Sequence, residues 1–172
     1  MLILFGFVVQ AVSFKYRLAE GNILGRKTYD IFLFLNGILA PVLLGGAVST
    51  FFFGSDFTVE KTNLTYASAP VISQWGDWHG LEVLLDWRVV IFGIMFLFLT
   101  RVLANLWFLN QVKDKQTDEW NRKQLMINAP IFVVLFLAVV AVLLTASGYE
   151  TTGLHEFQQE DYKYLNNFLA MP

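Results

Sequence analysis

Residues 89–112, "VVIFGIMFLFLTRVLANLWFLNQV", form an apolar stretch in which Arg101 is the only charged side chain. A helix of about 20 apolar residues crosses the hydrocarbon core of a bilayer, so this stretch is long enough to span it. Two further runs, 31–55 and 124–149, carry no charged residue at all. The three runs predict transmembrane helices at 29–53, 88–111 and 125–147.

The composition agrees with a membrane protein. The chain has 172 residues, of which 56% are hydrophobic and 15% are charged, whereas a soluble domain has roughly 25% charged residues. Residues 1–14 are also uncharged, but at about 1.5 Å per residue they are too short to span a bilayer alone. They lack the basic start and the cleavage site of a signal peptide. We therefore expect a single all-α domain over 1–172, a polytopic integral membrane helical bundle with three full transmembrane helices and one truncated N-terminal helix.

The loop charges predict the orientation of these helices. Loops 15–28 and 112–124 are basic, whereas the loop 54–87 and the tail 148–172 are mainly acidic. Short basic loops stay in the cytoplasm, so the first two loops are expected inside and the loop 54–87 and the tail outside. Lys and Arg are not clustered beyond these short loops, and nothing favours binding to nucleic acid.

The loop 54–87 is rich in indole rings, with Trp75, Trp78 and Trp87. Indoles settle at the headgroup level, which predicts an aromatic belt and a short helix on the outer surface. The alternative is that His79 binds a metal or a haem. The chain has no Cys and only one other histidine, His155, so a ligand set is lacking and we predict no metal site.

The predicted helix 29–53 has a small or kinking residue at every fourth position. In lipid, small residues with this spacing let helix backbones pack closely, so this face is expected to meet another helix. Pro41 removes a backbone hydrogen-bond donor and is expected to bend the helix. The bend is either a fixed kink that serves packing only or a moving hinge. The residues of this helix-packing face are Gly37, Pro41, Gly45 and Ser49.

Five polar residues are expected within the inner half of the membrane. Counting about 1.5 Å per residue from the inner helix ends puts Arg101 about 15 Å deep, near the bilayer centre. Residues four apart are neighbours on a helix, so Asn105 is expected on the same face. The predicted intramembrane polar cluster consists of Arg101, Asn105, Asn36, Gln10 and Asn128.

Two interpretations of Arg101 remain open. Its long side chain could snorkel inward past Asn105 to water or headgroups. Alternatively, it points into the bundle, where it bonds Asn36 and carbonyls freed near Pro41, or an acidic group of a partner subunit. A charged residue inside a membrane is costly and is a functional candidate by default.

Several stretches resemble subunit II of cytochrome bd-type quinol oxidases, in a variant similar to those of Bacteroidetes-like bacteria. They are "FGFVVQAVSFKYRLAEGNILGRKTYD", "NGILAPVLLGGAVSTFFFGSDF", "GYE" and the ending "YKYLNNFLAMP". The aromatic-x-Tyr-Arg turn at 14–17 is the most specific element, together with the helix that carries Pro41 and Gly45.

Members of the family are about twice as long, so the chain resembles the middle of a family member. It departs from many of them at Gln10 and Ala11, where they have Arg-Pro, and a proton path is therefore not expected here.

The resemblance implies a respiratory complex of the bacterial plasma (inner) membrane that oxidises quinol and reduces oxygen to water. In this family the b and d haems belong to subunit I, the expected partner. Subunit II is haem-free and in some members holds a structural quinone, so this chain is expected to contact quinone and lipid, to bind no haem and to contain no catalytic residue. The alternative, from the buried charge alone, is a small membrane transporter half or a membrane scaffold protein. A transporter would gain support from inverted repeats with broken helices, and the sequence contains none.

Overall fold

The computed structural model describes residues 2–22, 24–54, 57–59, 73–75, 77–78, 80–151 and 157–171. Within this part of the chain lie five α-helices: α1 (Leu2–Tyr16), α2 (Arg26–Phe53), α3 (Trp87–Gln111), α4 (Lys115–Leu144) and α5 (Lys163–Leu169). Helices α2, α3 and α4 are each long and apolar enough to cross a membrane, and α1 is a shorter apolar helix. The predicted all-α membrane bundle is confirmed.

Each long helix packs against the next one along the chain, α1 on α2, α2 on α3 and α3 on α4. The α1–α2 and α3–α4 connections therefore lie at one end of the bundle, which we call the short-loop end. The opposite end, the long-loop end, holds residues 54–86 and 145–171 as far as they are described. The main apolar core lies between α3 and α4, where Phe92, Met95 and Val139 meet, and Val48 and Phe53 of α2 pack against it.

The long-loop end contains short irregular elements. Strand β1 (Phe57–Val59) pairs antiparallel with β2 (Ser73–Trp75), and β3 (Gly148–Thr151) pairs antiparallel with β4 (Phe157–Glu160). A short 3₁₀ helix, Leu81–Leu85, contacts both α2 and α3. This part of the predicted outer loop is therefore packed on the bundle.

Local capping groups determine where the helices begin and end. The Asp86 carboxylate accepts a hydrogen bond from the backbone N–H of Arg88 at the start of α3. At the start of α4 the Asp114 carboxylate accepts from the hydroxyl of Thr117 at 2.7 Å and from its backbone N–H at 3.0 Å, and these bonds hold the pKa of Asp114 below its usual value. Helix α2 ends before Gly54, whose φ of 77° is easily adopted only by glycine.

Helix α4 begins at Lys115, ten residues before the predicted span 125–147. The uncharged run identifies the part that can lie in lipid, whereas the polar residues ahead of it can be helical in water or at headgroups. The Asp114 cap supplies the start of this longer helix. Helix α2 likewise begins at Arg26, three residues before the predicted span 29–53.

Large apolar side chains cover the outside of the helices. Phe34 is 68% exposed, Val134 is 67% exposed and Leu137 is 60% exposed. Lipid tails are as apolar as these side chains, so their exposure is favourable in a membrane and contributes little to helix association. Close backbone contacts and polar side-chain contacts must therefore hold the helices together.

Candidate functional site

One face of α1 joins α2 through a polar contact. Gly6, Gln10 and Ser13 follow helical spacing on α1, and the side-chain amide of Asn36 on α2 donates to the Gln10 carbonyl oxygen at 2.6 Å. A Cβ on Gly6 would overlap Oδ1 of Asn36, so glycine leaves the space that this amide occupies. Asn36 is only 6% exposed. The structure thus brings together two of the five residues of the predicted polar cluster.

The same face continues to the short-loop end of the bundle. Ser13 is fully buried and its hydroxyl donates to the carbonyl of Val9 at 2.6 Å, which satisfies it within α1. One turn further on, Nε of Arg17 lies 2.5 Å from a carboxylate oxygen of Asp30 on α2. Both side chains are partly exposed, so the free energy of this ion pair is small, about 0–1 kcal/mol. The ion pair connects the turn at 14–17 with the start of α2.

Close backbone packing occurs where α2 crosses α3. A Cβ on Gly45 would lie 2.6 Å from Cβ of Phe96 and 2.9 Å from Cα of Gly93, and a Cβ on Gly93 would lie 2.9 Å from the carbonyl oxygen of Val42. Both glycines are buried. Sequence reasoning selected Gly45 but missed Gly93, whose signal is a lone glycine in a helix otherwise filled by large apolar residues.

The four residues of the predicted helix-packing face have different surroundings. Ser49 is fully buried and donates to the carbonyl oxygen of Gly46 at 2.6 Å. Gly37 is exposed, and nothing within the described residues lies within 4 Å of a Cβ placed on it. Pro41 is half-buried, and α2 continues through it as one helix. The half of this face near the long-loop end therefore makes the contact with α3.

The structure places Arg101 on the exposed surface of α3. Within the described part of the chain it forms no hydrogen bond or ion pair, and Asn36 bonds Gln10 instead of Arg101. Asn105, four residues further along, is only 7% exposed. The two side chains are about 40° apart around the helix axis, which is enough to put Asn105 inside the helix packing and to leave Arg101 outside it.

Two buried asparagines have amide groups that lack acceptors. The Nδ2 atoms of Asn105 and Asn128 are buried and have no hydrogen-bond partner among the described residues. Asn121, which sequence reasoning missed, is 2% exposed on α4. Counting residues from the α3–α4 connection puts Asn121 level with Asn105, each about 9 Å from its helix end. The α3–α4 contact near the short-loop end is thus lined by amides.

Two adjoining grooves run along the surface of α2. One, of about 440 Å³, lies between α2 and the 3₁₀ helix, where Thr50, Leu81 and Leu84 line it. The other, of about 360 Å³, lies between α1 and α2 and includes Gly6 and Asn36. The groove between α1 and α2 is lined almost entirely by hydrocarbon, and the groove beside the 3₁₀ helix is mainly apolar with a polar part. Both grooves therefore suit an acyl chain or an apolar helix better than a polar substrate.

The described residues contain no group of three or more His, Cys, Asp or Glu side chains that could hold a metal ion. His79 and His155, the two histidines of the chain, lie outside the described residues. Helices α1, α2, α3 and α4 contain no His and no Cys in their sequences. Methionine can also ligate haem iron, and one methionine of these helices, Met95, packs in the apolar core beside Phe92. Side chains that commonly ligate haem iron are therefore scarce in these helices.

Comparison with known proteins identifies the family of this chain. A family model described as "Cytochrome bd terminal oxidase subunit II" matches residues 1–171. Comparison with curated proteins and with solved structures gave no match. The match covers the apolar helices, the Arg17–Asp30 connection and the α2–α3 crossing described above. The chain belongs to the cytochrome bd terminal oxidase subunit II family.

Proposed function

We propose that the chain is the haem-free subunit II of a bd-type quinol oxidase, a complex that oxidises membrane quinol and reduces oxygen to water. The family match over residues 1–171 is the observation that carries this proposal. The absence of His and Cys from the sequences of the four long helices supports the haem-free part. A buried haem needs axial ligands such as His, Met, Cys or Tyr, and Met95 is surrounded by apolar side chains.

The proposed partner is the haem-bearing subunit I, which holds haems b and d. This chain then contributes no catalytic residue of its own and stabilises the assembled complex in the membrane. The long exposed apolar surfaces of α2, α3 and α4 are compatible with contacts to subunit I and to lipid. A structural quinone in this chain stays a prediction, and the apolar grooves beside α2 are candidate locations for it.

The proposed location is the bacterial plasma membrane, with the short-loop end of the bundle in the cytoplasm. Loops 15–28 and 112–124 hold eight of the twelve Lys and Arg residues. The segments 54–87 and 148–172 hold nine of the fourteen Asp and Glu residues. Short basic loops are retained on the cytoplasmic side, which supports the inside position of the short-loop end.

Co-expression with the haem-bearing subunit tests the proposal. The chain should be tagged, purified in mild detergent with its partner, and examined by haem absorption and by oxygen uptake with a quinol. We expect haem and quinol-dependent oxygen uptake in the co-purified complex, and no Soret band in the chain purified alone. A stoichiometric Soret band in the isolated chain would refute the haem-free role, and failure of the two subunits to co-purify would refute the assembly.

The second candidate function is a small membrane transporter half or a membrane scaffold. The observation that favours it is Arg101, an ionised side chain within an apolar helix, because such residues often bind anionic substrates. The family match does not support this candidate, since it assigns the chain to an oxidase subunit. Uptake of an anionic solute into vesicles that contain the chain alone, abolished by Arg101→Leu, would favour the transporter.

A further inference from the structure

We infer that the exposed face of α3 around Arg101 is a contact surface for a membrane helix of the partner oxidase subunit, and that this helix supplies a carboxylate to the guanidinium. This inference rests on the assembly proposed above. The Arg101 face is an 80° sector of the helix in the geometry of about 100° per residue. Leu97 in this sector is partly exposed, and the other members are exposed: Val90, Ile94, Arg101, Ala104 and Phe108.

The position of Arg101 along α3 makes an unpaired charge costly. It lies ten residues from the Gln111 end and fourteen from the Trp87 end, which corresponds to about 15 Å and about 21 Å of helix. The side chain is therefore near the middle of the apolar span. A lipid-facing guanidinium at this depth is strongly unfavourable unless it reaches water, headgroups or a partner.

The direction of the side chain opposes the shorter route to water. In an α-helix every Cα–Cβ bond tilts toward the helix N-terminus. The N-terminus of α3 is Trp87, at the long-loop end, so the Arg101 side chain leaves the backbone away from the nearer short-loop end. Snorkelling toward Gln111 works against this tilt, and snorkelling toward Trp87 must cover the longer distance.

The described helices contain no carboxylate at this depth. Helix α3 contains no Asp or Glu, and the acidic residues of α2 and α4 lie near the short-loop end: Asp30, Asp118 and Glu119. Asp30 already pairs with Arg17. No described carboxylate balances Arg101, so the proposed counter-charge comes from outside the described residues. Family membership provides the source, because the chain is part of an oxidase complex with another subunit.

The residues around Arg101 suit a helical partner. Ala104 is exposed beside it on the same face, and small residues allow a second helix backbone to approach closely. Arg presents a planar fork of N–H donors that fits a carboxylate in a bidentate arrangement. An acidic residue on a partner helix that packs on Ala104 would meet the guanidinium in this way.

The test uses the co-expressed complex, because the partner must be present. Arg101→Leu should lower the apparent association constant of the two subunits at least about thirtyfold, since it leaves a buried carboxylate unpaired. Arg101→Lys keeps the charge and should cause a smaller loss. Leu103→Ala is the matched control, because Leu103 is 55% exposed on the opposite side of α3, and it should associate normally.

A photoreactive benzoylphenylalanine at Ala104 identifies the occupant of the face. We expect a crosslink to a transmembrane segment of the partner, mapped within about one helical turn of an Asp or Glu. Replacing that acidic residue by its amide should reproduce the defect of Arg101→Leu, and the two changes together should be no worse than either. The chain expressed alone should reach the same level in membranes with Arg101→Leu as without it.

Three results would overturn the inference. Normal association of Arg101→Leu, with Ala104 crosslinked only to lipid, would make Arg101 a snorkelling surface charge. Loss of the isolated Arg101→Leu chain from membranes would give the arginine a role within this chain. If the unchanged chain fails to associate with the haem-bearing subunit at all, the proposed function fails together with the inference.

Discussion

The α2–α3 crossing gives the sharpest prediction about stability, which concerns Gly45→Ala. The added methyl group would lie 2.6 Å from Cβ of Phe96 and 2.9 Å from Cα of Gly93. Carbon atoms in contact normally lie about 3.5–4.0 Å apart. The helices must therefore separate by about 1 Å at this point, because both obstacles are close to the backbone and cannot rotate away.

The expected cost follows from this displacement. Overpacking a well-packed contact by a methyl group typically costs about 1–3 kcal/mol, and a separation of the helices also weakens the neighbouring contact of Val48 with the apolar core that contains Phe92 and Met95. Gly93→Ala should cost a similar amount, since its methyl group would lie 2.9 Å from the backbone carbonyl oxygen of Val42. Gly37→Ala is the matched control on the same helix, because no described atom lies within 4 Å of its added Cβ.

The assay is unfolding of the purified chain in mixed micelles of mild detergent and dodecyl sulfate, followed by circular dichroism and by tryptophan fluorescence. We expect Gly45→Ala and Gly93→Ala to unfold at a lower fraction of dodecyl sulfate than the unchanged chain. Gly37→Ala should unfold at the same or a higher fraction, because Ala favours helix over Gly by about 1 kcal/mol. Equal midpoints for Gly45→Ala and Gly37→Ala would refute the argument that the glycines permit the crossing.

Three further predictions concern topology, polar pairing and pH. Cysteines introduced singly at Gln116 and Ser147, both exposed, should react with an impermeant thiol reagent from the cytoplasmic and the outer side, and the reverse pattern would contradict the orientation. Gln10→Leu and Asn36→Leu should be non-additive in the unfolding assay by about 0.6–1.7 kcal/mol, because they share one hydrogen bond; additivity would contradict that bond. The bonds from the Thr117 hydroxyl and backbone N–H lower the pKa of Asp114, so its contribution is present above the usual carboxyl pKa and is lost as pH falls through the lower folded pKa. The protection of amides in the first turn of α4 against exchange, taken relative to the intrinsic exchange rate at each pH, should fall over that acidic range in the unchanged chain but not in Asp114→Asn. Identical acid profiles of protection would contradict the charge-dependent part of the cap.

The positions of the membrane helices were predictable because the cost of a charge in lipid depends on local sequence. Each apolar run coincides with one helix of the structure over most of its length, although 31–55 and 124–149 continue past the helix ends at Phe53 and Leu144. The start of α4 was not predictable from the same signal, because the length of a helix and the length of the part of it that can lie in lipid are different properties. Lys115 and the turns after it can be helical outside the membrane once Asp114 caps them.

The contacts between polar residues were predictable only in part. Counting residues predicted Asn36 and Gln10 in one polar cluster, and the two side chains are joined in the structure at 2.6 Å. The same count predicted Arg101 and Asn105 in that cluster and on one face of α3, but Asn105 is buried and Arg101 is exposed. Residues four apart differ by about 40° around the axis, and the edge of a helix contact can fall between them.

The sequence by itself therefore determined which segments are long and apolar enough to cross a membrane, which loops carry the positive charge and which family the chain resembles. These properties depend on composition and on distance along the chain. Only the tertiary structure decided that Gly45 meets Gly93, that Asn36 bonds Gln10 and that Arg101 faces away from the bundle. Those contacts depend on the rotation of each helix about its axis and on the crossing of neighbouring helices, which are set by packing between residues far apart in sequence.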